Sequence, residues 1–74
     1  MARLPSVSGQ RAVAAFRRIG FEIRRQRGSH IILVRTGTPV TLSVPDHPEL
    51  KRGTLRALIR QANLTVDEFV ELLK

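Results

Sequence analysis

The chain doubles back on itself twice between Phe21 and Val44. Phe21 to Gln26 alternates, with Phe21 and Ile23 set against Glu22 and Arg24, and Arg27-Gly28-Ser29 then turns tightly. His30 to Arg35 is rich in β-branched residues, Thr36-Gly37-Thr38-Pro39 turns again, and Val40, Leu42 and Val44 alternate with Thr41 and Ser43. Connections this short join only antiparallel neighbours, so the pattern predicts a three-stranded antiparallel meander whose first strand is half-buried. The second strand is apolar on both faces, which hides its register. A slip of one residue would move His30 to the other side of the sheet.

Helical patterns flank the meander. Ser8 is a good N-cap for a helix from Gly9 to Ile19, with Ala12, Ala15, Phe16 and Ile19 forming one buried stripe. Gly20 is placed to end it in the left-handed conformation. Residues 1–7 read as a frayed or extended lead-in. Pro45-Asp46-His47-Pro48 is loop, because prolines at both ends forbid helix and disfavour strand. The loop continues to Gly53, and Thr54 is expected to cap a helix with Leu55, Leu58, Ile59 and Ala62 inward. Asn63 ends that helix, and Thr65 to Glu68 reads as a capping box that opens the last one, with Val66, Phe69, Val70 and Leu73 inward. The order is α-β-β-β-α, with the C-terminal helical segment broken near Asn63. This is an α+β sandwich with the helices on one face of a small antiparallel sheet.

At 74 residues the chain supports one domain over 1–74 and one modest core. A dinucleotide-binding fold, a barrel or a two-domain enzyme is excluded. No cysteine is present, so disulfides, thiolate metal sites and thiol nucleophiles are excluded too. Apolar runs such as Ile31 to Val34 are far short of a membrane span, and the N-terminal residues lack the apolar stretch of a signal peptide. A cytoplasmic protein with no membrane partner is expected.

Charge points to the partner. Lys and Arg number 13 against 6 Asp and Glu, for a net +7. All of the excess lies in residues 1–35, where eight arginines face one glutamate. Arginine forks onto phosphates bidentately, so a basic half of this kind suits a polyanion, most directly nucleic acid. The three aromatics, Phe16, Phe21 and Phe69, sit at core positions and leave no stacking platform for single-stranded bases. The two C-terminal helices resemble a helix-turn-helix in spacing. The second, however, carries Asp67, Glu68 and Glu71, which phosphates would repel.

The inventory for catalysis is short. His30 and His47 are the side chains suited to proton transfer near neutral pH, and neither sits in a metal-ligand spacing, so no metal and no cofactor is expected. Imidazole plus arginine suits RNA cleavage, because RNA carries its own nucleophile in the 2′-OH. Arg24-Arg-Gln-Arg-Gly-Ser-His30 puts a histidine just past a tight turn among arginines. By spacing alone the same segment also reads as a hairpin with basic flanks and a structural histidine.

Gly20-Phe21, Arg25-Gln-Arg-Gly-Ser-His30, Val44-Pro45 with His47, Leu50-Lys-Arg-Gly-Thr-Leu-Arg56, Gln61-Ala62 and Glu68-Phe69 stand in an order that resembles the HicA family of toxins. The resemblance runs from about Leu4 to the C-terminus. It departs mildly at Ile31, where many members have a polar residue or a second histidine, and at Asn63, where glycine is common. It implies a fold like the double-stranded-RNA-binding domain, metal-independent endoribonuclease activity on messenger RNA, and neutralisation by a HicB antitoxin. The family's catalytic histidine corresponds to His30.

On that basis His30 is expected to be the general acid/base, with Arg25, Arg27 and Ser29 holding the scissile phosphate. Lys51, Arg52 and Arg56 would extend the phosphate track, and His47 is a possible secondary participant. The alternatives are a non-catalytic RNA-binding module on the same fold, and a pure interaction protein whose basic face meets an acidic partner.

Overall fold

A computed structural model describes residues 3–74; the first two residues of the expected lead-in lie outside the described residues. The elements run α1 (Gly9–Arg17), β1 (Glu22–Arg27), β2 (His30–Val34), β3 (Thr41–Pro45), α2 (Arg52–Gln61) and α3 (Val66–Leu72). The strands form one antiparallel sheet in the order β1-β2-β3, so the meander and the α+β class follow the sequence pattern.

Local chemistry sets most of the boundaries. The Ser8 hydroxyl oxygen accepts the Arg11 amide at 3.1 Å and starts α1, which ends at Arg17, two residues before the expected limit. Gly20 follows with φ of 100°, and Asn63 ends the α2 segment with φ of 62°. The Thr65–Glu68 capping box is complete: each side chain accepts the other residue's amide, at 3.1 and 2.8 Å. These bonds satisfy N–H groups that a helix start otherwise leaves without partners.

Packing overrides the sequence pattern in three places. The lead-in is docked rather than frayed: Leu4 and Val7 are buried, and the Val7 carbonyl accepts the Leu50 amide at 2.8 Å. Helix α2 begins at Arg52 with Lys51 as its N-cap and no side-chain cap bond, so Thr54 lies inside the helix. Burial of Leu50 and Leu55 on either side of that start holds the turn where local capping chemistry does not. Strand β1 is exposed at every residue rather than half-buried, and Ile23 is 50% exposed. Helices α1 and α2 both pack over β3, at the far side of the sheet, and β1 lies beyond their cover.

The core sits between the helices and one sheet face. Ile31 and Leu33 of β2 pair with Val44 and Leu42 of β3, and all four are buried. Phe16 meets Phe21 edge-on at 6.1 Å and Phe69 at 5.2 Å between ring centroids, which joins α1, the residue just before β1, and α3. Full burial of side chains this size contributes roughly 1.5–3 kcal/mol each. Gly9 lies where α1 meets the end of β3; a Cβ there would run into the Pro45 carbonyl oxygen.

Candidate active site

Strand alternation resolves the face that β2's apolar sequence concealed. Ile31 and Leu33 point to the helices, so His30, Ile32 and Val34 point to the open face. Cross-strand partners share a face, and the register lays out three rows. Arg27, His30 and Pro45 form the first, Arg25, Ile32 and Ser43 the second, and Glu22, Val34 and Thr41 the third. Arg27, His30, Ile32 and Ser43 line an open concavity of about 430 Å³.

A bulge brings the arginines there. Ile23 pairs with Leu33, on the helix side, and plain alternation would send Arg25 and Arg27 the same way. The register shifts between Ile23 and Arg25, so Arg24 is an extra residue and Arg25 instead pairs with Ile32 on the open face. Arg27 and His30 then close the hairpin around Gly28-Ser29, with Gly28 at φ of 57°. Positive φ at the first loop residue is what a type II′ hairpin turn requires.

Asp46 ties this hairpin to the helix layer. Its amide donates to the Ser29 carbonyl at 2.6 Å, and its carboxylate accepts from Gln10 Nε2 at 3.0 Å and Gln26 Nε2 at 3.4 Å. Gln26 also donates to the Gly28 carbonyl at 3.2 Å. The residue before His30 and the residue after its partner Pro45 are therefore joined, and both are fixed to α1.

The basic residues divide into two groups. Arg18 Nη1 donates to the Leu72 and Lys74 carbonyls at 2.9 and 3.0 Å, and Arg11 Nη2 to the Leu73 carbonyl at 3.4 Å, where cations favourably meet the end of α3. Arg35 stacks over Phe21 at 4.7 Å and donates to the Ile19 carbonyl, and Arg52 donates to the Leu4 carbonyl. Arg24, Arg25 and Arg27, by contrast, are exposed and, like Arg3, Arg17, Lys51, Arg56 and Arg60, make no side-chain hydrogen bond or ion pair among the described residues.

The fold thus gathers His30, Arg25 and Arg27 on one surface, with Ser29 exposed in the turn beside them. It does not bring Lys51, Arg52 and Arg56 to that face, because α2 packs on the opposite side of the sheet. His47 is exposed, and its carbonyl accepts the Gly9 amide at 2.9 Å. Among the described residues no group of three or more His, Cys, Asp or Glu side chains comes together to hold a metal ion. No helix among them is long and apolar enough to cross a membrane. Ile32 and Ser43 line the concavity without having been singled out by motif. The alternation of β3 already put Ser43 on its polar face, but only the register of β2 sets it beside His30.

A family model described as the HicA toxin of bacterial toxin-antitoxin matches residues 9–64, more than half of the chain, spanning α1 through α2 and all three strands. No curated protein matches the sequence.

Proposed function

The chain belongs to the HicA toxin family, the toxins of bacterial toxin–antitoxin pairs, and from that premise we propose that it is a metal-independent endoribonuclease acting on messenger RNA. The observation that carries the reading is His30 exposed on the open sheet face, paired with Arg27 and diagonal to Arg25, two guanidiniums that bond to nothing else among the described residues. His30 accepts the proton of the 2′-OH as general base. The 2′-oxygen bonds to the adjacent phosphorus, the bond to the 5′-oxygen breaks, and the proton returns to that oxygen from the imidazolium or through water. Arg25 and Arg27 offset the charge that builds on the phosphoryl oxygens, and the exposed Ser29 adds a contact beside them. Lys51, Arg52 and Arg56 meet phosphates only of an RNA that continues past the sheet edge toward α2. His47 has a secondary part at most. The proposed protein partner is a HicB-like antitoxin, acidic where it covers the arginines, since complementary charge speeds association and excludes RNA together.

The chemistry of the ends tests this reading. Incubated with RNA in excess chelator, the protein is expected to leave 2′,3′-cyclic or terminal 2′/3′ phosphates and 5′-hydroxyls, and to spare DNA of the same sequence. Cleavage of DNA, or activity restored only by added magnesium, would overturn the mechanism. RNA that is shifted in a gel but left intact would make the protein a binding module.

A further inference from the structure

The middle strand of the open face departs from its two neighbours. Apart from Pro45, the solvent-facing positions of β1 and β3 beside it are polar, as an uncovered sheet face favours: Glu22, Arg25 and Arg27 on one strand, Thr41 and Ser43 on the other. Between them β2 presents Ile32 and Val34, half-buried and with no helix over them, and of these two Ile32 lines the concavity. Strands are spaced about 4.8 Å apart, so the row Arg25, Ile32, Ser43 runs from cation to apolar surface to hydroxyl in steps of that size. One ribonucleotide presents the same sequence of chemistries: an anionic phosphate, then the flat apolar face of the base, then the polar edge of that base.

Resting on the ribonuclease reading, we infer that the concavity beside His30 is a nucleobase subsite for the nucleoside adjoining the scissile phosphate. Arg25 and Arg27 hold the phosphate, Ile32 is the floor under the base, and the Ser43 hydroxyl meets its edge. The occupant is fixed by charge complementarity, because the phosphate must lie on the arginine side and the base is then carried toward β3. The three phenylalanines are committed to the core, so the floor is aliphatic and stacking does not contribute. A hydroxyl both donates and accepts, and therefore serves purine and pyrimidine edges alike. The subsite consequently reads the presence of a base more than its identity.

The experiment uses RNA oligonucleotides with a single cleavage site, either intact or carrying an abasic ribose, 2′-OH retained, at the nucleotides flanking that site. With the unmodified protein, removal of the base on the subsite side is expected to raise the half-saturating protein concentration in single-turnover cleavage about tenfold, the low end for loss of an apolar contact in a pocket. The four natural bases should differ less from one another than from the abasic substrate. Ile32→Thr keeps a β-branched residue on the strand, and Ser43→Ala alters one atom; each should shrink the abasic penalty. Affinity for the same oligonucleotides gives the same ratio without cleavage. A protein that binds but does not cut therefore refutes the ribonuclease reading while still testing the subsite. An abasic penalty that is missing, or unchanged in both variants, would overturn the inference.

Discussion

The two faces of the sheet are built from the same three strands and do opposite work. On the helix side Ile31, Leu33, Leu42 and Val44 are buried to within a few per cent, and they close the core against α1, α2 and α3. On the open side His30, Arg25 and Arg27 are exposed, and among the described residues nothing inside the protein engages the two arginines. Successive residues of β2 thus alternate between holding the core and facing the open side. In a chain this small that division lets a charged, exposed surface exist without loss of core, because the two sets of side chains share backbone but not neighbours.

Neighbouring residues give the largest test of that division. Leu33→Ala should destabilise the protein by about 2–5 kcal/mol, the range for truncating a buried leucine. Ile32→Ala, one residue away on the other face, should cost about 1 kcal/mol or less, since half-exposed positions leave little cavity. Urea unfolding midpoints of the two variants check this; equal losses would mean that the open face is covered.

A smaller effect separates engaged from free arginines. Replacing Arg25 and Arg27 together with glutamine should flatten the slope of log affinity for single-stranded RNA against log salt by about 1.4, at roughly 0.7 for each phosphate contact. Arg18→Gln should leave that slope alone and instead lower stability slightly, because its guanidinium is bonded to the end of α3. The same change in slope from both would erase the distinction.

What the sequence made legible follows the same line between local and distant causes. Ser8, Gly20, Asn63 and the Thr65–Glu68 box act on their own neighbours, and each stands in the role its chemistry suggests. The two short connections dictated the meander. Leu4 and Val7 gave no local sign of docking, since their partners, Arg52 and Leu50, are remote in the chain. Thr54 looked like a cap because hydroxyls cap helices, but burial of Leu50 and Leu55 set the start of α2 earlier. The bulge at Arg24 has the largest consequence for the open face and no local sign, for an extra residue in an exposed edge strand leaves no trace in apolar alternation. It decides on which face Arg25 and Arg27 appear, and β2's two-sided apolarity hid the face of His30 in the same way.

The central claim, that the open face around His30 is where RNA is cut, is tested most directly by His30→Ala assayed for cleavage and binding on one preparation. Loss of a general acid/base should lower the cleavage rate by about 10²–10⁴. RNA affinity, its salt dependence and the circular-dichroism spectrum should stay close to those of the unmodified protein, because His30 is exposed and the arginines remain. A well-folded His30→Ala protein that still cleaves at the full rate would contradict the account.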